Sequence, residues 1–242
     1  MVAVPFIAPS VIAIDGPAAS GKSTVGQAVA DRLGYVYLDT GAMYRAVAWL
    51  AHQRAVPATD EARVTRLAAD ADIDVLPATQ DDGRQYTVLV DGVDVTWAIR
   101  SPEVGATVSE VSVHPGVRQA MVAQQRRLAL RGGMVMVGRD IGTGVLPDAP
   151  WKIYLDASAE ERARRRWLEE QARGGSRSFA AVLAEVQHRD RIDSSRDVAP
   201  LRPAADAVVI DSTGISVDAV IARVLALCAG NDEQRNDVHR RN

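Results

Sequence analysis

Residues 16–24 read GPAASGKST, a glycine-rich turn with a lysine near its end, and Gly16, Gly21, Lys22 and Ser23 fit the spacing G-x-x-x-x-G-K-[ST]. Glycines at these two places let the backbone bend so that successive N–H groups converge on phosphate oxygens, with the positive end of a helix behind them. A lysine in the next position reaches the β- and γ-phosphates, and the hydroxyl after it is placed to ligate Mg²⁺. The expected guest is a nucleoside triphosphate.

Two further stretches carry charge where a ligand could use it. In LDTGAMYRAV, residues 38–47, Asp39 or Thr40 can cap a helix on which Tyr44 and Arg45 follow. In GGMVMVGRDIGTGVLPDAP, residues 132–150, an apolar strand runs into Gly138, Arg139 and Asp140. That puts a basic and an acidic side chain at a strand's carboxyl end, where open α/β sheets bind ligands. Lys22 and Lys152 are the only lysines among 28 basic residues, so the basic chemistry is almost wholly arginine, whose planar fork suits phosphate. The segment Glu161 to Arg196 is crowded with it: Arg162, Arg164, Arg165, Arg166, Arg173, Arg177, Arg189, Arg191 and Arg196.

The phosphoryl group has three possible fates: water in a GTPase-type switch, water in a motor, or a small acceptor. A switch needs a guanine reader of the Asn-Lys-x-Asp kind, yet the asparagines, Asn231, Asn236 and Asn242, all lie in the last stretch and no lysine follows one. A motor needs more chain and a partner interface. An acceptor kinase predicts a second anion site and an arginine-rich lid that closes over both substrates.

The elements that must position these residues alternate as βαβ units do. Apolar runs at Val11–Ile14, Tyr35–Leu38, Met134–Val137, Lys152–Leu155 and Ala207–Ile210 read as buried parallel strands. Helical patterns begin near Lys22, Ala42, Pro102, Pro115, Ser158, Phe179 and Ser216. Two regions interrupt the alternation. Around 57–105, Asp91-Gly92 between YTVLV and VDVT signals a hairpin, so this region reads as a small antiparallel lobe inserted in the core. Residues 161–197 read as a helical pair, broken at RGGSRS, that forms a mobile lid. Core segments at 10–56, 106–160 and 198–229 and a disordered tail at 230–242 complete the division.

Composition sets bounds. The 242 residues, 47% of them hydrophobic, can bury a full core, and a net charge of −3 offers no general attraction for nucleic acid or an anionic membrane. The single cysteine, Cys228, excludes an internal disulfide or thiolate cluster and fits a reducing compartment, with packing in the last helix as its role. MVAVPFIAPSVIAI lacks a basic start and is broken by Pro5 and Pro9, so it reads as a leader into the first strand of a cytoplasmic protein. His52, His114, His188 and His239 form no metal spacing, and Trp49, Trp97, Trp151 and Trp167 read as packing groups.

Taken together, IDGPAASGKST, LDTGAMYRA, GRDIGT, LPDAP, LDASAEERARRR and RDRIDSSRDVAPLRPAADAVVIDST, in this order, resemble the bacterial cytidylate (CMP/dCMP) kinases over about residues 11–228. The resemblance implies a P-loop nucleoside-triphosphate-binding fold: a five-stranded parallel sheet flanked by helices, with a monophosphate-binding insertion and a short lid. It implies ATP along Gly16, Pro17, Ala18, Ala19, Ser20, Gly21, Lys22, Ser23 and Thr24, with Mg²⁺ near Ser23, and CMP or dCMP as acceptor. Arg45, Arg139 and Arg196 match residues that hold the acceptor phosphate, with the Thr40 hydroxyl beside them. Ser109, Arg118 and Asp140 match the cytosine readers, and Arg189 and Asp193 the residues near the sugar. Arg162, Arg165 and Arg166 match lid residues that approach the transferring group, and the family suggests a monomer. Two departures stand out. Val137 occupies the place before Gly-Arg-Asp where many members carry an acid, and Thr40 replaces a frequent serine. The first removes a possible outer carboxylate for the metal.

Overall fold

The computed structural model describes the backbone of residues 11–195 and 199–239, and side chains as far as 229. The chain runs β1 (Val11–Asp15), α1 (Lys22–Leu33), β2 (Val36–Asp39), α2 (Thr40–Gln53), α3 (Glu61–Asp70), β3 (Ile73–Pro77), β4 (Tyr86–Val90) and β5 (Val93–Asp94). It continues through α4 (Pro102–Val111), α5 (Pro115–Ala129), β6 (Met134–Val137), β7 (Trp151–Asp156), α6 (Ala159–Ala172), α7 (Phe179–Ser194), β8 (Val208–Asp211) and α8 (Val217–His239).

Five strands form one parallel sheet in the order β2-β6-β1-β7-β8. VIAID and MVMV are buried throughout because β1 and β6 lie inside the sheet with helices over its faces. β8, at an edge, is buried fully only at Ile210. From β1 the chain passes to β2 at the other edge, whereas from β6 it crosses β1 to β7. The carboxyl ends of β1 and β6 therefore border the crevice where connections diverge, the usual ligand site of such sheets.

The expected hairpin forms. Val90 pairs with Val93 across Asp91 and Gly92, which take φ of 51° and 80°. Positive φ at both central residues matches the right-handed twist of the strands, and Asp-Gly tolerates it. β3 adds a third antiparallel strand with Ile73 opposite Val90. One helix in this region went unread: α3, capped by Asp60, whose side chain accepts from Arg63 N at 3.1 Å. Only Val64 and Ala68 of α3 are buried, too narrow a stripe to stand out.

α6 and α7 pack through Ala163, Val182 and Val186, with Trp167 edge-on to Phe179 at 6.5 Å. Surface glutamates take up much of the arginine charge here, as in the pairs Arg164–Glu161, Arg166–Glu170 and Arg173–Glu169. Cys228 is buried on α8, and burial pushes its thiol up to about 12, as befits packing. Among the described residues no helix is long and apolar enough to cross a membrane. The N-terminal leader and Arg196 lie outside the described residues. So do the side chains of the expected tail, whose backbone carries α8 on to His239.

Candidate active site

The glycine-rich turn joins β1 to α1, and its shape is enforced at Gly16. There φ is +146°, and an added Cβ would lie 2.0 Å from the Leu155 carbonyl oxygen of β7. No other residue fits so close to a neighbouring strand. Lys22 opens α1 and is 5% exposed. Its Nζ donates to the Pro17 carbonyl and, at 3.3 Å, to Ser20 Oγ. Burial holds its pKa well below the ordinary value, and the charges of Arg139 and Arg189 push the same way against Asp39 and Asp15. Ser23 and Thr24 are exposed at the start of the helix.

Across from the turn, three elements bring cations together. Arg45 comes from α2, Arg139 from the end of β6 and Arg189 from α7. Burial lowers the Arg189 pKa, followed by the charge of Arg139, with Arg166 and Arg45 adding to it and Asp193 opposing. Three guanidiniums thus act on that of Arg189, with the Asp193 carboxylate opposing them. Arg139 Nε donates to that carboxylate, Asp193 Oδ2, at 3.0 Å, and Asp193 is 2% exposed.

Beside them Arg118 Nη2 on α5 donates to Asp140 Oδ2 at 2.6 Å, and both residues are buried. The Arg118 guanidinium lies over the Tyr44 ring at 5.7 Å. Gly144 N and Val145 N donate to the Asp140 carbonyl through a turn of π-helix at Ile141–Val145, so the acid is held by both its side chain and its backbone. Asp39 caps α2 by accepting from Gly41 N at 2.9 Å. Thr40 Oγ1 donates to the Val137 carbonyl at 2.9 Å, which ties α2 to β6 and commits the hydroxyl proton.

The remaining expected residues are placed less directly. Arg162 is buried and spends its donors on Asp190 at 2.6 and 2.9 Å, on the Ala157 carbonyl at 2.8 Å and on the Ala18 carbonyl at 3.3 Å. It fastens the helical pair to the phosphate turn. Arg165 reaches the Ser20 carbonyl at 3.3 Å and Ser212 Oγ at 3.0 Å, with Glu161 behind it at 2.8 Å. Arg166 pairs with Glu170 and Glu185. Ser109 is exposed on α4 and is not drawn into the Arg118–Asp140 pair.

Asp15 escaped the sequence reading although it ends an apolar strand just before the turn. It is buried and accepts from Ile141 N at 2.8 Å and Gly142 N at 2.7 Å, coupling the turn to the Gly-Arg-Asp segment. Burial raises its pKa from 3.8 to about 6; the two backbone hydrogen bonds and Lys22 oppose the rise, and Asp140 adds to it. The folded protein then keeps a proton that the unfolded chain has already lost between those values. This contribution to stability is full below 3.8 and is lost as pH climbs through about 6. The decline from this one group is on the order of 3 kcal/mol. Asp15→Asn removes the titration, so urea unfolding of both proteins from pH 4 to pH 7 should show the unaltered chain losing about that much more stability. Parallel pH curves would refute this assignment.

A parallel sheet with a phosphate turn at the end of its central strand, faced by arginines from three other elements, defines a P-loop kinase. A crystal structure of an uncharacterised protein from Eubacterium ventriosum shares this fold at a TM-score of 0.51 and 10% identity, over 90% of this chain and 97% of that one. The family model for cytidylate kinase matches residues 12–229. A cytidylate kinase from Roseiflexus castenholzii is 53% identical over 223 residues, 92% of this chain and 94% of that one. One from Geobacillus thermodenitrificans is 53% identical over 216 residues, 89% of this chain and 95% of that one. The chain belongs to the cytidylate kinase family and is a phosphotransferase.

Proposed function

We propose that this enzyme moves the γ-phosphoryl group of ATP–Mg²⁺ to CMP or dCMP, giving ADP and CDP or dCDP. The observation that carries the reading is the gathering of Arg45, Arg139 and Arg166 about Arg189, whose pKa burial and their charges lower, with Arg139 and Arg189 acting in the same sense on Lys22. Phosphoryl transfer between two polyanions needs charge neutralisation and alignment more than it needs a covalent group. The acceptor is already a phosphate monoester anion, so no strong base is required.

In this reading ATP lies along Gly16–Thr24. Arg45, Arg139, Arg189 and Arg196 bind the acceptor phosphate and sugar with Asp193, and Arg118, Asp140 and Ser109 read the cytosine. The exposed Ser23 hydroxyl suits Mg²⁺, which keeps several waters and asks the protein for only one or two oxygens. Bound there with ATP, the ion would neutralise charge on the β- and γ-phosphates. Asp15 and Asp39, whose charges act on Lys22, are the nearby carboxylates that remain where Val137 offers none. The pair α6–α7 acts as the lid over the donor, and Arg162 and Arg165 position the phosphate turn through its carbonyls.

The test is ADP release from ATP–Mg²⁺ with CMP, dCMP, UMP, AMP, GMP or no acceptor. Stimulation by CMP and dCMP, weak response to the others and slow release without acceptor are expected. No stimulation by any monophosphate would overturn the proposal.

A further inference from the structure

The inserted lobe reaches the donor side of the enzyme. A cleft of about 850 Å³ opens above the phosphate turn, within the range of a small-molecule site. Lys22, Ser23 and Arg165 line it together with Trp97 and Arg100 from the lobe. Of the arginines gathered on the acceptor side only Arg166 also lines this cleft; Arg45, Arg118, Arg139 and Arg189 do not. Arg100 therefore faces the space above the turn, although the lobe that carries it follows the pattern of an acceptor-binding insertion.

Arg100 is held as a ligand-binding group would be. Arg84, 9% exposed, binds Asp94 Oδ2 and Asp82 Oδ2 at 2.6 Å each and closes the base of the hairpin. Asp82 Oδ2 also accepts from Trp97 Nε1 at 2.9 Å, which fixes the indole. The Arg100 guanidinium then lies 5.5 Å from the centre of the Trp97 ring and 5.5 Å from that of Tyr86. Ring faces brace a cation without using its N–H groups. Among the described residues no carboxylate pairs with Arg100, so its donors face the cleft uncommitted.

We infer that Arg100 is a donor-binding residue, through which the inserted lobe grips the polyphosphate of the nucleoside triphosphate. The inference rests on the donor reading above. It makes the lobe a participant in both substrate sites, so that its position depends on which nucleotides are bound.

The experiment uses the full chain with Arg100→Met, which keeps the stem, and Arg100→Gln, which keeps a planar group on the two rings without the charge. ATP–Mg²⁺ and CMP are titrated separately by calorimetry, KM is measured for each, and thermal unfolding is followed without ligand. Both variants should bind ATP about tenfold or more weakly, with CMP affinity changed by less than about twofold. Arg100→Lys should recover part of the loss, because the charge returns without the fork. If Arg100→Gln binds ATP as the unaltered protein does, the assignment fails. Equal losses for ATP and CMP also overturn it, since they would make Arg100 a brace of the lobe alone. If the unaltered protein binds no ATP, the donor reading falls first and the inference with it.

Discussion

Replacing Lys22 with methionine is expected to lower kcat by roughly a hundred- to a thousandfold, the range seen when one donor to developing charge is removed. The unliganded site shows why so much depends on this one group. Its ammonium is buried and offered only a carbonyl and a hydroxyl of its own turn, while the surrounding arginines disfavour its charge. A polyphosphate reverses that balance by supplying negative charge where the turn has none. Methionine preserves the stem volume and removes the buried charge, so the melting temperature should hold or rise while activity collapses. Lys22→Arg should not rescue, because a planar fork cannot put a compact ammonium where Lys22 Nζ meets the Pro17 carbonyl and Ser20 Oγ. Initial rates and thermal unfolding of the same preparations check both halves. A variant that loses stability in step with activity would show that Lys22 acts through the fold.

The turn was legible because its chemistry is local: two glycines, a lysine and a hydroxyl within eight residues of a buried strand. The strands were legible for a related reason. β1 and β6 are buried on both faces and read as unbroken apolar runs. What the sequence could not display is pairing across the fold. Arg118 and Asp140 are 22 residues apart, Arg162 and Asp190 are 28 apart, and Arg139 and Asp193 are 54 apart. Resemblance to a family could nominate Arg118, Arg139, Asp140 and Asp193, but that they form buried pairs depends on packing of α5, α7 and β6. Asp15 was missed because one acid at a strand end has no partner within its own segment; its partners are backbone N–H groups at 141 and 142. Arg100 was passed over because its setting, two rings brought together by the Arg84–Asp82 ion pair, exists only once the hairpin closes.

The second large effect is expected at Asp140. Asp140→Ala should lower kcat/KM for CMP about a hundredfold or more while KM for ATP changes little, since Asp140 borders the acceptor cluster and not the donor cleft. The same change should also destabilise the protein, because it strands Arg118, 5% exposed, without its counter-charge. Breaking a buried pair from one side costs roughly 3–5 kcal/mol. A loss of activity alone would therefore leave two explanations standing, and the double variant Arg118→Met/Asp140→Ala separates them. With both charges gone the buried site is apolar, so stability should recover most of the way. Activity with CMP should stay low if the pair reads the base, and should return with stability if it serves only to hold α5 against the end of β6. Denaturant unfolding measured beside CMP-dependent ADP release gives both quantities from one set of proteins. Recovery of stability without recovery of activity assigns the Arg118–Asp140 pair to the acceptor; joint recovery removes the pair from the site and leaves cytosine recognition to other groups.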